Sequence, residues 1–320
     1  MTPERHYFDN SNSFYIDTHF ISVGRCSCFF LNKEGTDEWV IVEPSSHMCV
    51  EKAVLSVIKE LNITSVAFVV VTHVHLDHSG GAGLLAQHFP DAKFLVHENG
   101  AKHLVDPTIL NSAAVQVYDP TEYANYIGPA LPIPEASVVP VKEGDIIKWG
   151  NENIRVFDAF GHAFHSAAFH FEEMNILFPG DAVAMNLELI RDIETPDANI
   201  KNAKILPSAP TQFKPKLWAT TLSKFLSLPA ANIGLSHFGY IPSEDYHAFM
   251  NDSMYLLTEH ARICDEARSL DDIDNEFMNL YGERLDLTEE ERKMFITEWF
   301  YICVAGCKHL WKRNLAKMSQ

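Results

Sequence analysis

The sequence predicts an α/β body followed by an all-helical appendage, and three observations predict it. Runs of β-branched and aromatic residues, broken by turn residues, recur from residue 14 to about 235. Segments with apolar residues at helical spacing lie between them. After about residue 243 no strand signal remains, and helical stretches run on to the end. The expected division is therefore residues 1–242 for the α/β domain and 243–320 for the helical region.

Taken in order, Phe14–Val23, Cys26–Leu31 and Glu38–Val42 read as successive strands, punctuated by Gly24 and by Lys33-Glu34-Gly35. A helix is expected over about 48–61, where Val50, Val54, Leu55, Val57, Ile58 and Leu61 share a face. Ala67 to Val71 is a continuous apolar run, as in a strand buried on both sides. A short helix to about His88, a strand at Lys93–Val96 and a helix at Glu98–Val105 follow. Residues 106–135 show no clear period and read as a loop or cap. Strands resume at Ser137–Val141, Ile154–Ala159, Ala167–Phe171 and Asn175–Phe178. A second long connection covers 185–212, a helix about 215–227 and a short strand Asn232–Leu235. The helical region divides into stretches at about 244–268, 270–281 and 288–315.

Composition excludes several classes. With a formal charge of −18, the surface repels phosphate backbones and anionic membranes, so neither nucleic acid nor a membrane is expected as a partner. No run reaches the 18 or so apolar residues of a membrane span, and residues 1–12 carry no signal pattern, so a cytoplasmic location is expected. The six cysteines form no dense framework and read first as small buried hydrophobes; Cys26-x-Cys28 with the close pair Cys303 and Cys307 is the less favoured metal-binding alternative, since the two pairs lie far apart in sequence.

The chemistry concentrates after the buried run. His73, His75, Asp77 and His78 follow it directly. In an extended chain, positions two apart project to one side, so His73, His75 and Asp77 can present donors together. Imidazole and carboxylate suit zinc, and also iron or manganese. Gly80-Gly81 then lets the chain turn tightly into a helix whose N-terminus faces the site. A solvated polar loop would explain one histidine, but not this density of ligand side chains between a buried strand and a Gly-Gly turn.

The segment Thr72-His73-Val74-His75-Leu76-Asp77-His78-Ser79-Gly80-Gly81 matches the signature T-H-x-H-x-D-H-x-G-G at every fixed position, and the chain therefore resembles the metallo-β-lactamase superfamily. Gly161-His162, Gly180-Asp181 and Ser236-His237 resemble its third, fourth and fifth motifs, in family order. The resemblance covers about residues 14–240. It implies a four-layer αββα sandwich, here with a C-terminal helical appendage placed over the active site as in glyoxalase II. It implies two divalent metal ions, zinc first, with iron or manganese as alternatives. His73, His75 and His162 would bind one ion, Asp77, His78 and His237 the other, and Asp181 would bridge them together with a water or hydroxide. Asp77, Asp181 and His165 are the expected catalytic residues, His165 at the rim either as proton donor to the leaving group or in a supporting or solvent-facing role.

Two identities narrow the branch. Asp181 stands where zinc β-lactamases commonly carry Cys, and His75 where flavo-diiron oxygen reductases carry Glu. Both resemble the glyoxalase II, lactonase, thioesterase and phosphodiesterase branches. The family's first motif, I-D-x-G, is replaced by Ile41-Val42-Glu43-Pro44, and Glu43 is expected to orient a ligand histidine. Phe164, Ser166, Phe238 and Tyr240 flank ligands and are expected at the rim or pocket. His88, His97 and His103 read as structural, and nothing selects among His247, His260 and His309.

The expected function is a dinuclear metal-dependent hydrolase in which a metal-bridging hydroxide cleaves an ester-type bond (thioester, lactone or phosphodiester) in a small-molecule substrate, with a homodimer left open. The alternatives are a di-iron redox or oxygen-binding protein and a ligand-sensing protein with low turnover. A nuclease is disfavoured by the charge and by the short stretch of about 55 residues between the fourth and fifth motifs.

Overall fold

Alternation along the strands sets the layers. The computed structural model describes residues 2–8, 12–21, 24–32, 36–186, 204–208, 211–284 and 300–318. Strands β1 (Arg5–Tyr7), β2 (Phe14–Asp17), β3 (Ser27–Asn32), β4 (Glu38–Val42), β5 (Ser65–Val71), β6 (Lys93–His97) and β7 (Val138–Val141) lie side by side in chain order. β1 to β4 pair antiparallel, and β4 to β7 pair parallel. β8 (Ile146–Trp149), β9 (Glu152–Asp158), β10 (Ala167–Phe171) and β11 (Ile176–Phe178) belong to a second sheet. β12 (Met185–Asn186) and β13 (Lys204–Ile205) form a separate small ladder. β14 (Asn232–Gly234) and β15 (Tyr240–Ile241) complete the second sheet, whose order is β15-β14-β11-β10-β9-β8.

The period of two assigns each face. Phe29, Leu31, Val40, Val42, Val70 and Leu95 of the first sheet share one core with Ile154, Val156, Phe169, Phe171, Ile176 and Phe178 of the second. The alternate residues Cys28, Phe30, Ile41, Val69, Val71, Phe94 and Val96 share another core with Val50, Val54 and Val57 on the helical stretch after β4 and with Ala82 and Leu85 of the helix Ala82–His88. β5 is thus covered on both faces, as its continuous apolar run requires.

By contacts the chain forms two compact units. The first comprises Met1–Asp158, His165–Gly180 and Asn232–Tyr240, and holds both sheets. The second comprises Ala159–Phe164, Asp181–Ala231 and Ile241–Gln320. Within it, the helix Tyr246–Glu266 packs against the helices Pro215–Leu226, Leu270–Arg284 and Phe300–Met318. The Tyr246 hydroxyl donates to the Phe225 carbonyl at 2.9 Å. Among the described residues no helix is long and apolar enough to cross a membrane.

Several elements differ from expectation for identifiable reasons. The strand expected over Phe14–Val23 ends at Asp17, whose carboxylate accepts from the amides of His19 and Gly24 while His19 and Ile21 take positive φ. Residues 106–135 are not irregular: they contain the helix Thr108–Val117, the turn Pro120–Glu122 and a π-helical turn Tyr123–Ile127. Ile109 and Val115 of that helix are 66% and 59% exposed, so its apolar residues do not gather on one face and leave no helical period to read. β1, β8 and β15 are too short for alternation to mark them. The expected connection at 185–212 and helix at 288–315 fall partly on residues 187–203, 209–210 and 285–299, outside the described residues. Cys264 and Cys307 form a disulfide with Cα atoms 5.5 Å apart, so the reading of all six cysteines as unbridged hydrophobes holds for four.

Candidate metal centre

The first unit gathers most of the expected ligands at the end of β5. The Thr72 amide donates to Glu43 Oε1 at 2.9 Å, which fixes the backbone as it leaves the strand. Thr72 Oγ1 lies 3.1 Å from His73 Nδ1, so Nε2 is the nitrogen His73 can offer an ion. That Nε2 lies 3.0 Å from His75 Nδ1. Two imidazole nitrogens thus converge on one point.

Asp77 is not on an extended segment. His75 is extended (φ −65°, ψ 147°) and caps the helix Leu76–Ser79, so Asp77 and His78 sit on its first turn. The helix begins early because the amides of His78 and Ser79 both close on the His75 carbonyl. Asp77 Oδ2 lies 3.4 Å from His78 Nε2. Gly80 and Gly81 also differ from expectation. Both have right-handed φ, and their role is close approach: a Cβ on Gly81 would stand 2.1 Å from Val50 Cγ2 and 2.7 Å from the Ser46 carbonyl.

Glu43 is buried, with φ 58°, and its Oε2 is hydrogen-bonded to His78 Nδ1. His237 Nδ1 donates to the Arg25 carbonyl at 2.9 Å, and its ring lies 5.1 Å from that of His78. His73, His78 and His237 therefore each have Nδ1 engaged by a neighbouring oxygen, which leaves Nε2 as the ligand atom. This is how ligand histidines are oriented, and the set fits a divalent metal ion on its donor chemistry.

His165 belongs to the same unit. Its ring stacks near-parallel to His73, with centroids 6.1 Å apart, and stands edge-on to His75 at 5.3 Å. Its Nδ1 accepts from the Val74 amide at 3.4 Å, so in the neutral ring the proton is on Nε2. Ser166 is buried beside it, and the following amide, of Ala167, donates to the Thr72 carbonyl. Phe238 is buried edge-on to His6 and Tyr15, and Tyr240 stacks on Phe8 at 5.2 Å.

The second unit holds His162 and Asp181. His162 Nδ1 donates to the Pro207 carbonyl at 3.0 Å, and its Nε2 lies 3.4 Å from Asp181 Oδ2. Gly161 precedes it at φ 130°, where a Cβ would stand 2.2 Å from Trp218 Cβ; this close approach sets the Trp218 ring edge-on to His162. Asp181 is buried in the turn Gly180–Ala182, which Trp218 Nε1 ties through the Ala182 carbonyl at 2.7 Å. Phe164 is exposed, and its amide donates to Gln212 Oε1.

In the sequence Cys26 is marked only by its spacing from Cys28, and Tyr118 by nothing. One ligand atom each from Cys26, Asp77 and His237 lies within 4.8 Å of the others. Tyr118, between the helix Thr108–Val117 and the following turn, has its hydroxyl pushed well above the usual phenol range by burial and then by the charges of Asp77 and Cys26. The histidines outside the cluster have varied settings. His97 is held by Asp158 at 3.2 Å and accepts from the Asn99 amide, and His88 is exposed. In the helical region His247 and His309 are exposed and His260 is buried.

Comparison with known proteins bears on this geometry. Residues 21–237 match the sequence profile of the Metallo-beta-lactamase superfamily. An uncharacterized protein of Aquifex aeolicus is 29% identical over 155 residues, covering 48% of this chain and 64% of its own. The acyl-coenzyme A thioesterase MBLAC2 of Gallus gallus is 35% identical over 120 residues, covering 36% of this chain and 40% of its own. The chain thus spans less than two thirds of the length of either relative. Among solved structures, ST1585 from Sulfolobus tokodaii covers 94% of this chain and 99% of its own at a TM-score of 0.64 and 16% identity. TTHA1429 from Thermus thermophilus covers 91% of this chain and 89% of its own at 0.57 and 17%. These likenesses show the fold, which is the four-layer αββα sandwich with C-terminal helices that the sequence predicts.

Proposed function

This chain belongs to the metallo-beta-lactamase superfamily, and from that premise we propose that it is a dinuclear metal-dependent hydrolase that cleaves an ester-type bond in a small molecule. A thioester is favoured over a lactone or phosphodiester, because the Gallus gallus relative is named an acyl-coenzyme A thioesterase. The observation that carries the reading is the orientation of the histidines: Thr72, Glu43 and the Arg25 carbonyl engage Nδ1 of His73, His78 and His237 and so assign Nε2 to an ion.

In this reading His73, His75 and His162 serve one ion, Asp77, His78 and His237 the other, and Asp181 both. The grouping of His162 and Asp181 with the rest rests on the order of the family motifs. When bound, two such ions lower the pKa of a shared water and polarise the bond under attack. The protein's own groups then have distinct tasks. Glu43 holds His78 and the Thr72 backbone in one geometry. Asp77 accepts a hydrogen bond from the attacking water and orients it. His165, with its proton on Nε2 and its ring 5.3 Å from the His75 ring, donates a hydrogen bond to the departing sulfur or oxygen, which takes its proton from solvent.

Zinc is the expected ion, with iron or manganese as alternatives. The test is elemental analysis of the purified chain, followed by a panel of acyl thioesters, lactones and phosphodiesters. Two equivalents of zinc and hydrolysis of one class support the reading. A metal-loaded protein inert toward every class overturns it, and bound iron with an absorbance that responds to oxygen replaces it with a redox role.

A further inference from the structure

We propose that Cys26 supplies a thiolate ligand to the ion held by Asp77 and His237, making that half of the site a mixed sulfur, oxygen and nitrogen centre. The inference rests on the metal reading above and adds a ligand that the family motifs do not contain.

Three observations carry it. First, one ligand atom each from Cys26, Asp77 and His237 lies within 4.8 Å of the others, close enough for a single ion to be shared among them. The Cys26 sulfur is 3.8 Å from His237 Nδ1, the nitrogen that the Arg25 carbonyl engages, so this contact packs the thiol against the imidazole, and the shared ion is argued from the three-residue cluster. Second, the segment that orients His237 is the segment that delivers the thiol. The Arg25 carbonyl accepts from His237 Nδ1, and Cys26 is the next residue. Third, the thiol's backbone is pinned on both sides. The Cys26 carbonyl accepts from the amide and the hydroxyl of Thr18, at 2.9 and 3.0 Å. The next amide, of Ser27, donates to the Ser236 carbonyl at 2.8 Å, and Ser27 Oγ accepts from the Gly239 amide at 3.1 Å. The loop carrying His237 and the strand end carrying Cys26 therefore move as one piece.

Cys28 and Cys303 lack this setting, and Cys49, in the same apolar cluster as Cys26, takes no part in the group with Asp77 and His237. Cys28 lies two residues on, in the core between β3 and the helices, among Phe14, Ile16 and Phe30. Cys303 is buried in the helical region. Cys26 is only 1% exposed, which for a small apolar side chain is ordinary; what sets it apart is the carboxylate and the imidazole beside it. Tyr118 packs against the apolar cluster that holds Cys26 and Leu76.

The chemistry balances without a co-reactant. On binding, the S–H bond of Cys26 breaks, its proton passes to solvent, and a sulfur–metal bond of about 2.3 Å forms with no change of oxidation state. A thiolate favours zinc over manganese at this position.

Cobalt(II) substitution of the full chain is the test. The wild-type protein should show visible d–d bands and a near-ultraviolet sulfur-to-cobalt charge-transfer band. Cys26→Ser should keep the d–d bands, lose the charge-transfer band, and weaken zinc binding at one of the two sites by tenfold or more in a chelator competition. Cys28→Ser should leave the band intact. Wild-type protein that shows d–d bands without the charge-transfer band overturns the thiolate assignment and leaves the metal reading standing. Loss of the band in Cys28→Ser rather than Cys26→Ser also overturns it. Wild-type protein that takes up no cobalt in equilibrium dialysis overturns the metal reading itself.

Discussion

His78 and His260 are buried to the same degree, at 1% and 0% exposure, and their surroundings have nothing else in common. His78 is hydrogen-bonded to Glu43, lies 3.4 Å from Asp77, and has the rings of His73 and His237 at 4.1 and 5.1 Å. His260 meets the Tyr281 hydroxyl at 2.6 Å and is otherwise walled by rings, Phe277 at 4.5 Å and Phe213 at 6.4 Å. Burial alone does not make a histidine a ligand. What separates the two is a second ring of donors around His78, where His260 has, among the described residues, the Tyr281 hydroxyl and aromatic rings.

The sharpest way to break this contrast is Asp77→Ala. It should abolish ion retention at its site and lower hydrolysis by about 10^3-fold or more while leaving the thermal midpoint nearly unchanged, since the Asp77 carboxylate is partly exposed. Elemental analysis after dialysis and initial rates check it, and full retention of metal and activity would remove the distinction. Glu43→Gln comes next. It keeps an acceptor for the Thr72 amide but removes the charge behind His78, and it should weaken zinc binding about 10- to 100-fold. An unchanged affinity in a chelator competition would mean Glu43 does not act through His78.

Gly81→Ala tests whether the base of the candidate site is as closely packed as the helical core. With Val50 Cγ2 2.1 Å from the added carbon, the thermal or denaturant midpoint should fall by an amount equivalent to about 1–3 kcal/mol. The smallest effect per unit change belongs to His260. Burial pushes its pKa down to about 3, so it stays neutral in the fold while the unfolded chain takes up a proton near pH 6.5. Between those values the unfolded state binds more protons, and stability is full above about pH 6.5 and falls as the pH drops, by up to about 1.4 kcal/mol per unit. The slope of stability against pH below 6 should be shallower in His260→Gln, and an identical slope would refute the assignment.

Much of the candidate site was legible because its expected ligands are clustered or sit in short motifs. His73, His75, Asp77 and His78 lie within one turn of chain, and His162, Asp181 and His237 each follow a recognisable strand. The two-faced burial of β5 was equally readable from its unbroken apolar run. Tyr118 was not, because nothing local marks it, and Cys26 carried only its spacing from Cys28. A cysteine at a strand end is usually a small hydrophobe, and His237 is brought beside it from more than 200 residues away by the Arg25 carbonyl and by the hydrogen bonds of Ser27 to Ser236 and Gly239. The two glycines at 80 and 81 were read as turn-formers, since sequence shows flexibility but not the side chain of Val50 standing where a Cβ would go. The helix Thr108–Val117 was missed because it turns apolar residues to solvent.

The Cys264–Cys307 bond joins the helices Tyr246–Glu266 and Phe300–Met318 across 43 positions. In the chain-entropy view, closing a loop of that size disfavours the unfolded chain by about 4 kcal/mol. It also makes the C-terminal region tolerant of a nick. A protease that cuts once between the two cysteines leaves both pieces covalently attached, and they part only when a thiol reductant opens the bridge. Such bridges persist where the surroundings are oxidising. The redox poise around the protein therefore decides whether a single cleavage in this region is silent or severs the last helix from the rest.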